Sequence, residues 1–463
     1  MSLSFPLALS SILGRKMSAV RFSSLVKTGG QYHWVAVLAP VKSRAVASWF
    51  TGWISIGGQI VLTASAAFAG GLQYQALITL NHPDSYVPQR YQGMMFYWLI
   101  LVYSAAINIW GVKILPHANL TAGVLHVVGF LVITSVVGAR SEKHSANYVF
   151  VEISNSSGWS SDSLAWLVGL LSCVYPFLGY AASVYHKRHK NDHLSRYDAA
   201  AHLAEELPSP ARNVPLAMVG SVVANGVLGF IYCLVLLFSL GDLTELLESP
   251  TGFPFIQLFL NVTYSQAGAT ILALIICLIA SVANAAGLTS ASRTFWAFAR
   301  DDAAPFSKYF SHVDQKLQVP VRMIVLVSVL QGLLGFIYLG STTAFNAILS
   351  MAIIGTYLSY LLPVIYMVRF GRPRLSPAEY GPFRLGKVGG IVVNIIAIIW
   401  LIFAMIFSTF PSLQPVTAQN MNYSTVVLAG WVAGGAIYYF LVARKVYHGP
   451  IVETETLTAQ VPK

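Results

Sequence analysis

The chain has 463 residues, of which 56% are hydrophobic and only 10% charged, with a mean hydropathy of +0.65 and a net charge of +11. Soluble domains carry about 25% charged residues, so the composition excludes an ordinary water-soluble fold and points to lipid as the solvent. Asp, Glu, Lys and Arg are absent from 114–139, 163–186, 213–241, 249–292, 323–368 and 388–443, with shorter gaps at 45–83 and 91–112.

Residues 1–45 form an atypical N-terminal segment that ends in a cytoplasmic loop. The apolar part of "MSLSFPLALSSILGRK" is too short to span a bilayer and lacks a signal-peptide cleavage site, so it reads as disordered or interfacial. A membrane helix needs about 20 apolar residues to cross a hydrocarbon core of about 30 Å. Dividing the charge-free tracts at polar and Gly/Pro breaks predicts ten spans, near 47–69, 93–113, 119–139, 163–184, 214–240, 267–290, 321–340, 343–367, 388–410 and 424–443. Runs such as "VVNIIAIIWLIFAMIF" exclude a β-barrel, whose strands alternate over about ten residues.

Ten spans put both termini on one side. Assigning loops alternately gives that side 25 of the 28 Lys and Arg, leaving Arg90, Arg140 and Lys143 on the other. The two sides then net +15 and −4, and the positive-inside rule makes the termini cytoplasmic. The basic excess is a topology signal, and no nucleic-acid partner is expected. Sequons at Asn155, Asn261 and Asn422 fall in loops assigned to the outside. Cys173, Cys233 and Cys277 lie within spans, and there is no CxxC or HExxH. No disulfide framework, metal or cofactor follows.

The fourth span reads "SLAWLVGLLSCVYPFLGY". Pro176 removes a backbone donor and Gly179 eases unwinding just beyond it. Such a break either holds substrate on freed backbone groups or is a packed proline kink; the residues alone leave both open. Lys187, Arg188, Lys190, Asp192 and Arg196 follow within ten residues. At about 2.5–3.5 kcal/mol for each charge at mid-membrane, burying five would cost about 12–18 kcal/mol, so this stretch loops into water. His186, His189 and His193 lie in it without a closed ligand set.

"GGQYHWVAVLAP" (29–40), "INIWGVKILP" (107–116), "YPFLGY…DAAAHLAEELPSPARNVP" and "SRTFWAFARDDAAPFSKY" (292–309) resemble the amino acid–polyamine–organocation superfamily, in its fungal branch of GABA, choline and amino-acid permeases. The resemblance runs from about residue 29 to 446. It implies an all-α integral membrane protein with a leucine-transporter-like inverted-repeat bundle of twelve spans, alternating access and proton-coupled uptake. Ten of those spans are present in this reading, because "GGQYHWV" normally follows the family's second. Family members also run "GY" directly into "DAAAHLAEE", whereas here 17 residues, Ala181 to Tyr197, intervene. The permease domain is 46–446 with the 181–197 insert, and 447–463 is a cytoplasmic tail.

The resemblance implies roles residue by residue. Tyr175, Pro176, Phe177, Leu178, Gly179 and Tyr180 match the unwound substrate-binding segment. Asp198 matches an acidic coupling or gating position, and Glu205 and Glu206 end that helix at the cytoplasmic face. Ser281 and Asn284 line the path or make interhelical hydrogen bonds. Arg293, Arg300, Asp301 and Asp302 form a cytoplasmic loop network that steadies gating. The expected function is secondary import of a small amine-bearing solute (an amino acid, GABA or choline) across the plasma membrane, with protons and membrane lipid as further partners. The alternative is a non-transporting or defective permease-like protein, a sensor or a truncated product. An integral-membrane enzyme would need clustered His or carboxylates at a membrane face, and the 11 histidines are scattered.

Overall fold

The computed structural model describes residues 30–153, 155, 157–174, 210–374 and 385–450, and every regular element among them is helical. The chain enters through α1 (Gly30–Leu38), turns at Pro40, and begins α2 (Arg44–Asn81). At 1.5 Å per residue α2 is about 57 Å long, well beyond the thickness of a hydrocarbon core. The sequence pattern ended this span near 69, where two glycines and two glutamines interrupt it. The helix continues because Ala76, Leu77 and Leu80 are buried, so packing overrides the local break.

A capping box between Gln89 and Gln92 opens α3 (Arg90–Ile109), and Pro116 sits in the first turn of α4 (Leu115–Arg140), where its missing N–H is harmless. The short α5 (Ala146–Phe150) leads to α6 (Asp162–Val174), the described part of the fourth span. The Pro176 break and the 181–197 insert lie outside the described residues. Then come α7 (Pro210–Phe238), the short α8 (Leu243–Leu247) and α9 (Pro254–Thr263), and α10 (Gln266–Arg300), capped by Ser265. After α11 (Ser307–Phe310) and α12 (Val321–Gly340), α13 (Thr342–Tyr366) passes through a π-helical turn (Met367–Gly371) to Arg374. The last spans are α14 (Gly386–Phe407) and α15 (Ser424–Tyr438), the latter extended by a second π-helical turn to Val446. Among the described residues nine helices are long and apolar enough to cross a membrane, and they correspond to nine of the ten spans read from the sequence.

The loops gather on two faces. On one, Asn81 Nδ2 donates to Thr270 Oγ1 at 2.8 Å, the His144 N–H to Phe238 O at 2.9 Å, and the Gln414 N–H to Ser157 O at 2.8 Å. On the other, the α1 face, Trp49 Nε1 donates to Ala303 O at 2.9 Å, and the Ser48 and Tyr447 hydroxyls lie 2.8 Å apart. These described loops alternate between the two faces.

Helices α2, α3, α10 and α12 make the centre, with Trp49, Ile56, Leu288, Phe298 and Met323 almost wholly buried. α13 crosses α2 at Gly58, where a Cβ would meet the Thr356 backbone nitrogen at 2.9 Å. α15 is locked to α2 by two tryptophans. Trp53 and Trp431 stack with centroids 4.8 Å apart, and each indole donates to the other's carbonyl at 3.0 Å.

Candidate functional site

Two polar seams run through the apolar centre. In the first, Ser104 and Asn108 lie one turn apart on α3 and face Asn284 and Thr289 of α10. Asn108 Nδ2 donates to the carbonyls of Ser104 and Ala285, both at 2.8 Å, and the Thr289 hydroxyl donates to Asn108 Oδ1. Asn284 Nδ2 donates to Ser104 Oγ at 2.9 Å, while its Oδ1 is buried without a hydrogen-bond partner among the described residues. One turn earlier, Ser281 donates to Cys277 O at 2.8 Å and lies 3.0 Å from the Tyr74 hydroxyl of α2. Both hydrogen-bonded asparagines are at most 3% exposed, which fits the rule that buried polar groups are paired. Ser281 and Asn284 therefore join α10 to α2 and α3 by interhelical hydrogen bonds. The lone Asn284 acceptor marks where that seam remains chemically open.

In the second seam, Gln331 of α12 reaches α2. Its Nε2 donates to Ile60 O at 3.1 Å and to the Thr63 hydroxyl, and its backbone carbonyl accepts from the Tyr97 hydroxyl at 2.6 Å. Together the seams tie α2, α3, α10 and α12 into one rigid frame.

At the α1 face, Tyr32 of α1 donates to Asp301 Oδ2 at 2.7 Å, with both side chains buried. Burial, and then the neighbouring Asp301 charge, hold the Tyr32 phenol well above its ordinary value. Arg300 Nε is 3.7 Å from Asp301 Oδ1, and its guanidinium lies over the Trp296 ring at 5.1 Å. Arg293 and Arg300 are seven residues apart on one stripe of α10 rather than in a loop. The sequence pattern ended the span at 290 because charges begin there, but the helix continues to Arg300 as it leaves the apolar layer. Buried Arg293 lines a narrow, partly open cleft with Asn108, Thr289, Ser292 and Pro320. Asp301 caps α10, and Asp302, at φ +58°, turns the chain away from it.

Tyr175 to Tyr180, Asp198, Glu205 and Glu206 lie outside the described residues. The three sequon asparagines share the face opposite α1. Asn155 Nδ2 donates to Trp159 O at 2.8 Å and to Asp162 Oδ1 at 2.9 Å, Asn261 Nδ2 to Glu245 Oε1 at 3.1 Å, and Asn422 Nδ2 to Ser408 O at 2.7 Å. No group of three or more His, Cys, Asp or Glu side chains suited to a metal occurs among the described residues.

Two features escaped the sequence reading. The Tyr32–Asp301 tie joins two motifs quoted separately, with no local signal that they meet. His126 sits midway along α4 in a tract scanned only for Asp, Glu, Lys and Arg; including histidine in that scan would have found it.

The sequence matches the family model described as "Amino acid permease" over residues 8–432. That match begins inside the N-terminal segment set apart above. The Choline transporter of Saccharomyces cerevisiae is 30% identical over 440 residues, covering 95% of this chain and 74% of that protein. Amino-acid permease 2 of Neurospora crassa is 28% identical over 443 residues, covering 94% and 76% respectively. Among solved structures, MhsT in complex with L-phenylalanine overlaps 88% of this chain and 98% of that chain, at 13% identity and a TM-score of 0.43.

Proposed function

Because the chain belongs to the amino acid permease family, we propose that it imports a small amine-bearing solute, such as an amino acid, GABA or choline, by proton-coupled secondary transport. The observation that carries this reading is the family match across residues 8–432, in a chain whose described long helices are of membrane-crossing length and apolarity. The family makes it a transporter rather than an enzyme. Relatives named for choline and for amino acids support a cationic amine as the shared feature of the solute.

In this reading the hydrogen-bonded frame of α2, α3, α10 and α12 stays fixed while the remaining spans rock around it, as expected of an inverted-repeat bundle with alternating access. Tyr175 to Tyr180 hold the solute, with backbone groups freed by Pro176 and aromatic faces against the ammonium. Asp198 and Glu205 serve coupling and gating. Ser281 and Asn284 border the path, where the unpaired Asn284 Oδ1 accepts a hydrogen bond from solute or water. Asp301, held by Tyr32 and flanked by Arg300, braces the closed state at the α1 face, with Arg293 two turns deeper on the same stripe. The charge distribution assigns that face to the cytoplasm, with both termini there, the three sequons outside, and the plasma membrane as the site of action.

Radiolabelled uptake of GABA, choline and neutral amino acids by permease-deficient yeast expressing the full chain tests this function. The expected result is saturable uptake of at least one solute, abolished by a protonophore and by Gly179→Leu. Surface protein without uptake of any of them would favour the non-transporting alternative.

A further inference from the structure

We propose that, of the three sequons on the face opposite α1, Asn261 alone carries an N-linked glycan in the folded protein, while Asn155 and Asn422 stay bare. The assignment rests on the reading above that this face lies outside the cell. Each asparagine is followed two residues later by Ser or Thr, so the motif does not separate them. They differ in what the fold does with the side-chain amide.

Asn155 and Asn422 belong to two loops clamped onto each other. Between these loops the Gln414 N–H donates to Ser157 O at 2.8 Å, and Trp159 stacks on Phe410 with centroids 6.0 Å apart. At Gly158, with φ +77°, an added Cβ would stand 2.3 Å from Gln414 O, so the loops meet backbone to backbone. Both N–H groups of the Asn155 amide are engaged, by Trp159 O at 2.8 Å and Asp162 Oδ1 at 2.9 Å, and its Oδ1 accepts from the Ser157 hydroxyl at 2.7 Å. Asn422 Nδ2 likewise serves two carbonyls, Ser408 O at 2.7 Å and Phe410 O at 3.3 Å, and its Oδ1 accepts from the Ser424 N–H at 3.1 Å. Ser424, the hydroxyl residue of that sequon, is 0% exposed.

Asn261 sits in the last turn of α9, away from that clamp. Its Oδ1 accepts from Gln257 Nε2 at 2.9 Å, and its Nδ2 donates to Glu245 Oε1 at 3.1 Å. Among the described residues the second N–H has no acceptor. Glu245, Glu248 and Ser265 around it are exposed, and Tyr264, at φ +52°, is 82% exposed.

The chemistry turns this difference into a choice. Transfer from a lipid-linked oligosaccharide pyrophosphate joins the amide nitrogen to C1 of the first N-acetylglucosamine and breaks the bond from that carbon to the pyrophosphate oxygen. The amide gives up one proton to the medium and keeps one N–H. The sugar is bulky and belongs at the surface. Transfer is made to the entering chain, so the fold decides which modified chains can close. At Asn155 and Asn422 a glycan removes an N–H that the loop uses and wedges the clamp apart. At Asn261 the remaining N–H still reaches Glu245, and the sugar leaves into water.

The test is enzymatic deglycosylation of the full chain expressed in yeast, read as gel mobility, with glycopeptide mass spectrometry to place the sugar. Wild type should shift by a single step on peptide N-glycosidase treatment. Asn261→Gln and Thr263→Ala should lose that shift and Thr263→Ser should keep it, while Asn155→Gln and Asn422→Gln should leave it unchanged. A glycan on Asn155 or Asn422, or a shift that survives both Asn261→Gln and Thr263→Ala, would overturn the assignment. Should wild type show no shift, Tyr264→Cys in a background lacking Cys173, Cys233 and Cys277 reads the side of the membrane. Its labelling by impermeant maleimide on intact cells would overturn the glycan assignment alone. Labelling only after permeabilisation would overturn the outward reading of that face, and the assignment with it.

Discussion

The Tyr32 phenol donates a buried 2.7 Å hydrogen bond to the Asp301 carboxylate across 269 residues of sequence. It joins "GGQYHW" at the start of the described chain to "FARDD" at the end of α10. Trp49, which donates to Ala303 O, and Ser48, which donates to Tyr32 O at 2.9 Å, close the same corner from α2. Hydrogen bonds to charged groups contribute about 1.5–3 kcal/mol. Tyr32→Phe should therefore destabilise the protein by about that amount, read as a lower melting temperature in detergent. Tyr32→Phe with Asp301→Ala should cost less than the sum of the two singles, because the second change removes a partner already lost.

The same pair fixes a pH dependence. Tyr32 is held neutral above its ordinary value of 10.0, so its contribution is complete below about pH 10 and is lost as pH rises through the elevated value. Melting temperature should show no change from this pair between about pH 5 and pH 9, and the alkaline fall should be shallower in Tyr32→Phe. Asp314 has the opposite sign. Backbone N–H groups of Leu317 and Lys316 hold its carboxyl below the usual 3.8, so its turn loosens only as pH falls through that lowered value. Protection factors of the 314–318 amides, corrected for intrinsic exchange, should fall at acid pH in wild type and be low at all pH in Asp314→Ala.

The seam between α3 and α10 predicts unequal costs for two buried asparagines. Asn108 uses both ends of its amide, whereas the Asn284 oxygen has no hydrogen-bond partner among the described residues. Intramembrane hydrogen bonds average about 0.6 kcal/mol and reach about 1.7. Asn108→Leu should lower stability by about 1–3 kcal/mol, and Asn284→Leu by less. Asn284→Leu should impair uptake more than folding if its free oxygen serves the transport path. Equal losses of folded protein would place both residues in the frame alone.

Two adjacent glycines in α2 make a matched pair. Among the described residues a Cβ on Gly70 would meet nothing within 4 Å, while one on Gly71 would stand 2.6 Å from the Tyr97 backbone nitrogen. Alanine favours a helix over glycine by about 1 kcal/mol, so Gly70→Ala should be neutral or stabilising. Gly71→Ala should reduce folded protein, since α3 backbone cannot yield as a side-chain tip can. Size-exclusion recovery of the two variants checks this directly.

Sidedness is tested with single cysteines at Asn155 and Lys316 in a background lacking Cys173, Cys233 and Cys277. Impermeant maleimide added to intact cells should label Asn155→Cys, and should reach Lys316→Cys only after permeabilisation. Labelling of both from one side would refute the alternating map.

The span pattern was legible because charge is expensive in lipid and hydrophobic runs must be long. Nine described helices follow it, and only the ends differ. α2 runs on past Gly70 because Ala76, Leu77 and Leu80 find neighbours, and α10 runs past Arg293 because a helix can outlast the apolar layer that fixed its composition. The motifs identified the family but not which of them touch. Tyr32 meeting Asp301, and Thr289 meeting Asn108, depend on helix crossings that no local pattern encodes. His126 was present in the sequence all along and was masked by the convention that treats histidine as uncharged.

The most direct measurement is solute counterflow by the purified chain in proteoliposomes, scanned over choline, GABA and neutral amino acids. The account predicts that vesicles preloaded with one of these unlabelled solutes take up its labelled form faster than protein-free vesicles, and that Gly179→Leu removes the difference. Entry no faster than in protein-free vesicles for every solute, with folded and inserted protein present, would contradict it.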